Sequence, residues 1–264
     1  MSSPAKKIAT VEDRRAVIAL MAIGVGAVVI GIMHLLLVPG HAAAMLIGYS
    51  KEGPSLYPLT VQNVMWLAFF GCLGEVYVRH VTATRESSQL SQKYLPEDST
   101  TILQADDLKE IYRNVKSKPG ASECFLPRLI QRCILQFQTS SSVEQSASLL
   151  NTSVEMFVHE IDLRYNMLRY LTWLMPTLGF IGTVVGIGLA LNYAGDPANV
   201  KDPLLLTTVT GRLAVSFDAT FLALVMTGIV LLFQNIVQSK EEHALNLAAQ
   251  YCLDNLINRL YVVK

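Results

Sequence analysis

From Ala16 to Val38 the chain runs without a formal charge, and an apolar run of that length leaves few folds open. A helix rises 1.5 Å per residue, so about 20 apolar residues cross a hydrocarbon core about 30 Å thick. Three further stretches meet the same requirement: 56–78, 167–193 and 204–236. Composition agrees. The 264 residues are 52% hydrophobic and 16% charged, whereas soluble domains carry about a quarter charged residues. The expected class is an all-α membrane protein with four transmembrane helices.

Orientation follows from Lys and Arg. Lys6, Lys7, Arg14 and Arg15 precede the first span, nine basic residues lie between Val81 and Asn166, and the two opposite loops carry only Lys51 and Lys201. Basic residues stay on the cytoplasmic side. The expected plan is therefore a cytoplasmic N-terminus (1–15), a first helix (16–38), a periplasmic loop (39–55) and a second helix (56–78). A cytoplasmic helical domain (79–166) follows, then a third helix (167–193), a short periplasmic loop (194–203), a fourth helix (204–236) and a cytoplasmic C-terminal helix (237–264). That topology fits a bacterial inner membrane. The charged head MSSPAKKIATVEDRR is followed by no small-residue cleavage site, so the first run is expected to be retained.

The segment between the second and third spans has helical patterning. Ile102 to Val115 carries an apolar face opposite Asp106, Asp107, Lys109 and Glu110, Pro119-Gly120 breaks it, and a second helix is expected over Leu126 to Phe137. From about Ser142 to Pro176 nothing interrupts the chain, which implies one long helix entering the membrane. Leu245, Ala248, Ala249, Cys252, Leu256 and Leu260 recur at helical spacing, so the fourth span is expected to leave the membrane as a helix. The third and fourth helices would thus extend into the cytoplasmic domain.

Several function classes are excluded. Net charge is zero, which gives no field for nucleic acid. Cys72, Cys124, Cys133 and Cys252 show no metal-ligand spacing. No nucleophile elbow, phosphate-binding loop or paired carboxylates appear at membrane depth, so neither enzymatic activity, cofactor nor metal is expected. A secondary transporter would show more spans and repeated halves.

Polar residues inside the last two spans carry what chemistry there is. In the third, Pro176, Gly179, Gly182, Thr183, Gly186 and Ala190 fall three or four apart on one face. Another helix can approach closely there, and taken alone such a face reads as a plain packing seam before it reads as an ion path. Pro176 frees a carbonyl one turn earlier. In the fourth, Arg212, Ser216 and Thr220 follow at i, i+4 and i+8, with Thr227 near the continuation. Asp218 lies about 200° round the helix from Thr220 and so mostly off that stripe. A carboxylate at this depth costs about 2.5–3.5 kcal/mol on insertion scales. A functional role and a structural one, a carboxyl tying helices or subunits together with Asn63 as a candidate partner, stand level. The working expectation is the structural one. Arg212 is expected to reach the interface, and His34 to be hydrogen-bonded near the end of the first span.

The run Pro176-Thr-Leu-Gly-Phe-Ile-Gly-Thr-Val-Val-Gly-Ile resembles the signature Pro-x-x-Gly-x-x-Gly-Thr-x-x-Gly of the MotA/TolQ/ExbB proton channel family, with every fixed position present. Gly211 to Leu224 is similar to the family's following helix with its key threonine, here Thr220. The charged run Val154 to Arg164 fits the helix leading into the pore helix. Resemblance is specific over about Glu155 to Gln234. Two spans before the cytoplasmic domain match the MotA plan, while the motif wording is closer to TolQ and ExbB.

What the resemblance implies is a homopentameric ring whose third and fourth helices enclose the helices of a dimeric, single-span partner like MotB, TolR or ExbD. The ion would be picked up on the partner and passed along Thr183, Thr220, Ser216 and the Pro176 carbonyl region, with Gly179, Gly182 and Gly186 packing around the partner. Ala219-Thr220, in place of paired threonines, favours H+; Thr183 leaves Na+ open. Ion flow would drive a motility, envelope or protein-transport machine, as a stator does. The rival is a structural membrane scaffold that conducts nothing.

Overall fold

A computed structural model describes residues 15–37, 45–48, 59–98, 102–118 and 121–261. Expectations that concern Lys6, Lys7, Arg14, most of the loop 39–55 with Lys51, the segment 56–58 and Pro119-Gly120 lie outside the described residues. Within them the chain is helical with no strands. The helices are α1 (Arg15–Leu37), α2 (Val61–Gln89), α3 (Ala105–Ser117), α4 (Phe125–Ser140), α5 (Val143–Arg164), α6 (Asn166–Gly195) and α7 (Leu205–Asn255). Four helical stretches are long and apolar enough to cross a membrane: α1, α2 with the turn that follows it, α5 with α6, and α7 with its C-terminal turn. The protein is an all-α membrane protein.

The chain divides into two units, the first comprising residues 1–78 and 167–234, the second 79–166 and 235–264. In the first, α1 lies antiparallel on α2 with small residues at the crossing. A Cβ added at Gly26 would come within 2.9 Å of the Phe70 ring, and one at Gly74 within 2.6 Å of Ala22 Cβ. Arg15 closes this pair by two contacts to Glu75, at 2.7 and 2.8 Å, so the acid near the end of the second span is neutralised inside the unit. The segment 45–48 is tied to the start of α2: Thr60 Oγ1 donates to Ile47 O at 2.8 Å and Trp66 Nε1 to Leu46 O at 2.9 Å.

The second unit has a conventional apolar core, in which Leu108, Phe125, Leu129, Ile130, Ile134, Phe157, Ile161 and Leu245 are all buried. Local chemistry sets its helix ends. The Gln104 N–H donates to Asp107 Oδ2 at 3.0 Å and starts α3. Ser141, at φ 50°, ends α4 with its N–H on Phe137 O, and Ser142 Oγ accepts from Gln145 N to start α5. The second helix is longer than the expected 126–137 because Cys124 and Ser141 are the actual stops. At the far end of the chain, Leu103 N donates to Arg259 O at 2.9 Å, and Tyr261 N to Leu103 O at 3.2 Å.

The long helix expected from Ser142 to beyond Pro176 carries one interruption. At Tyr165 the N–H turns to Asp162 O, a tighter i−3 bond, before α6 begins. Tyr165 is fully buried and its hydroxyl donates to Glu241 Oε2 at 3.1 Å. Glu241, itself buried, also accepts from Arg164 at 3.1 Å, and Arg164 reaches Glu160 at 2.7 Å. Burial pushes the Glu241 carboxyl up, against the pull of Arg164, Tyr165 and Arg79. Glu86, also buried, accepts the Phe125 N–H at 2.8 Å and so holds the first turn of α4. Its carboxyl is pushed up to about 7 by burial.

Candidate functional site: the α6–α7 hydroxyl node

Two Asp-Pro steps shape the turn from α6 into α7. Asp196 Oδ1 accepts Ala198 N, Asp202 Oδ1 accepts Leu204 N, and the Tyr193 hydroxyl donates to Asp202 Oδ2 at 3.0 Å. Arg212 lies 4.2 Å from the Tyr193 ring and donates to Leu189 O at 3.4 Å. Its guanidinium is thus held at the turn end of the pair.

From this turn the two helices run back antiparallel in register, and glycine sets their separation. A Cβ at Gly179 would meet Ala223 Cβ at 2.6 Å, one at Gly182 would meet Ala219 Cβ at 3.2 Å, and one at Gly186 would strike the Ser216 hydroxyl. The sequence reading gave these three glycines to a partner's helix. In the structure the chain's own α7 occupies that place, because Ser216, Ala219 and Ala223 are the small residues that complement them.

Close approach brings the hydroxyls together. Thr183 Oγ1 and Thr220 Oγ1 are in direct hydrogen-bond contact. Thr220 donates to Gly179 O at 2.9 Å, across the seam. Thr183 Oγ1 lies 3.2 Å from Gly179 O on its own helix and 3.1 Å from Ser216 O on the other. Two hydroxyl hydrogens therefore serve two carbonyls and one another, and the chain of donors can point either way by rotating both C–O bonds. Ser216 donates back to Arg212 O at 2.8 Å.

Pro176 is not part of this node. It stands seven residues before Thr183, about 10 Å along the axis, and lacks the N–H that would reach Thr172 O. Near that level Thr172 Oγ1 donates to Leu168 O at 2.8 Å and lies 3.4 Å from Gln234 Oε1, both residues being buried. Sequence reasoning missed this pair. The signal was present, since Ser216, Thr220, Ala223, Thr227, Val230 and Gln234 continue one i, i+3/i+4 stripe, and the reading stopped at Thr227.

Asp218 lies on the other side of α7. It is half-buried and makes no hydrogen bond or ion pair with any described residue, so the tie to Asn63 is not formed. Asn63 is buried on α2 with its N–H on Thr60 Oγ1, whereas the neighbours of Asp218 on α7, Phe217 and Phe221, are 60% and 57% exposed. All four cysteines are buried and free, and burial pushes the Cys124 and Cys133 thiols up to about 12.

No curated protein and no solved structure gives a significant match to the chain. Residues 121–249 match the model of the MotA/TolQ/ExbB proton channel family. That segment contains α4, α5, α6 and most of α7, with the glycine seam and every hydroxyl of the node. Through this segment the chain belongs to the MotA/TolQ/ExbB proton channel family.

Proposed function

We propose that this chain is the ring-forming subunit of a proton-driven motor in a bacterial inner membrane. In this reading several copies, five by family analogy, surround the helices of a dimeric MotB-, TolR- or ExbD-like partner, with both termini cytoplasmic. Ion flow turns the ring against the partner and delivers work to a motility, envelope or transport machine. One charge crossing 100 mV is worth about 2.3 kcal/mol, enough to bias such a step.

The observation that carries the reading is the hydroxyl pair Thr183–Thr220, set at membrane depth in a seam of glycines within the family segment. Neutral hydroxyls with more acceptors than hydrogens can pass a proton along without holding it. The pair sits beside Ala219 where a second threonine would be needed to cage a larger ion, which supports H+ over Na+ as the coupling ion.

A scaffold without conduction is the second reading, favoured by the fact that the node's hydrogen bonds close within one chain. The complex is purified with whatever single-span protein it retains, its subunits are counted by native mass spectrometry, and proton uptake is measured in proteoliposomes. Five copies around two partner helices with uptake support the motor. A partner-free dimer or tetramer without uptake leaves the scaffold. Thr183→Val and Thr220→Val are expected to keep the oligomer and lower uptake by roughly tenfold, the scale of one lost relay contact of about 1.4 kcal/mol. Unchanged uptake removes these hydroxyls from the path.

A further inference from the structure

Two carboxylates lie in the apolar parts of the described helices, and the chain treats them in opposite ways. Glu75 is buried and held by Arg15 through two contacts. Asp218 has no such partner among the described residues. It stands about 20 Å along α7 from Leu205 and about 24 Å before Gln234, at 1.5 Å per residue. A side chain as short as aspartate cannot reach water from that depth by extending along the helix.

The direction in which it faces is also fixed. Asp218 is two residues from Ser216 and two from Thr220, so it points about 160° away from both. Ser216 is buried in the seam with α6, while Ala214, Phe217 and Phe221, around Asp218, are exposed. The carboxyl thus stands on a face of α7 that the described residues leave largely open. An ionised carboxylate left there in lipid costs several kcal/mol, so it must take a proton or meet water or another helix of the assembly. Threonine hydroxyls do not ionise in this pH range and can only relay. A carboxyl can store.

We propose that Asp218 is a proton-storing site contributed by the ring itself: its carboxylate takes up one proton, becomes neutral while its face is apolar, and gives that proton up where the face meets water or the partner. The inference rests on the motor reading and adds to it a titrating group on the side of α7 opposite the threonines. It also reverses the structural role that the sequence alone favoured. One O–H bond forms on uptake and the same bond breaks on release, so nothing else is consumed.

The test uses the intact complex with its copurified partner. A hydrophobic carbodiimide, which reacts with protonated carboxyls in apolar surroundings, is applied, and the Asp218 peptide is followed by mass spectrometry. Asp218 is expected to be modified. Proton uptake by Asp218→Asn is expected to fall at least about tenfold with the oligomer unchanged, and Asp218→Glu to recover part of it. A conducting wild type and an Asp218→Asn complex within about twofold of it overturn the assignment while leaving the motor standing. A wild type that conducts nothing removes the motor reading and the proposal with it. Should Asp218→Asn fail to assemble, the labelling decides: an Asp218 that the carbodiimide leaves unmodified is locked between subunits and is not a proton store.

Discussion

The α6–α7 seam and the charged cluster of the second unit bury polar atoms by opposite means. In the seam the buried donors at Thr183, Ser216 and Thr220 are neutral hydroxyls, and each meets a carbonyl within about one turn or across the α6–α7 contact. In the second unit Arg79, Glu86 and Glu241 are buried as full ionisable groups, with Arg164, Tyr165 and the Phe125 N–H as partners. A hydroxyl needs only one acceptor and carries no desolvated charge, so it can be buried singly. A buried ion network needs all its members at once. The seam is therefore expected to tolerate loss of a polar atom and fail on added volume, and the cluster to do the reverse.

Removing Glu241 is the severest break. Glu241→Ala removes the acceptor that Arg164 and the Tyr165 hydroxyl share, and with it the negative charge near Arg79. Uncompensated buried charge costs about 3–5 kcal/mol. Denaturant unfolding of the purified chain measures it. A loss below about 1 kcal/mol would mean that Glu160 alone satisfies Arg164 and that the cluster is not cooperative.

Volume is the seam's weak point. At Gly186 a Cβ strikes Ser216, while at Gly188, two residues on, a Cβ would meet nothing within 4 Å. Gly186→Val is expected to cost about 3 kcal/mol or to prevent assembly, since α6 and α7 cannot separate without breaking the hydroxyl contacts. Gly188→Ala is expected to be neutral or to gain up to about 1 kcal/mol from helix propensity. Equal effects at the two positions would dissolve the seam as an explanation of the glycine spacing.

Legibility in the sequence divides along the same line. The spans could be read because lipid demands uninterrupted apolar length, Ser216 and Thr220 because hydroxyls at i, i+4 spacing stand out against an apolar helix, and Thr183 only through its place in the signature the run resembles. Which helix would face the glycines was not legible: periodicity gives a face but not its occupant, and Ser216, Ala219 and Ala223 became the complement only once the Asp196 and Asp202 turn set the register. The buried cluster was invisible for another reason. Arg79, Glu86, Arg164 and Glu241 look in sequence like ordinary solvated charges, and only the convergence of α2, α5 and α7 takes water away from them.

Titration sharpens the contrast, because the seam's hydroxyls do not titrate and the cluster does. The Glu86 carboxyl is pushed up to about 7 from its ordinary value of 4.5, by burial and by Glu241, against the Phe125 N–H and the nearby Arg164 and Arg85. Its folded value lies above its unfolded one, so folding takes up a proton. The resulting stability is fully present below about pH 4.5 and is lost as pH rises through 7. From pH 5 to 8 the second unit is expected to lose on the order of 2 kcal/mol from this group. Glu86→Gln keeps an acceptor for Phe125 and should flatten that dependence. Hydrogen exchange of the first-turn amides of α4 reads both, and a slope unchanged in Glu86→Gln would place the titration elsewhere in the cluster.

The smallest effect separates two hydroxyls of the seam itself. Thr172 and Thr183 each donate to a carbonyl of their own helix and touch a polar atom of α7, Gln234 Oε1 for the first and the Thr220 hydroxyl for the second. Thr172→Val and Thr183→Val are near-isosteric, and each is expected to cost about 0.6 kcal/mol, the average for a buried hydrogen bond in a membrane. Their consequences for proton uptake should differ. Gln234 offers Thr172 a fixed acceptor and ends the chain of donors there, whereas Thr183 is bonded to a second hydroxyl that can reverse its direction. Equal stability with uptake lost only in Thr183→Val would make reversibility of the donor chain, and not polarity at depth, the property that matters. Uptake lost equally in both would extend the path from the Thr183–Thr220 pair past Pro176 to the Gln234 end of α7.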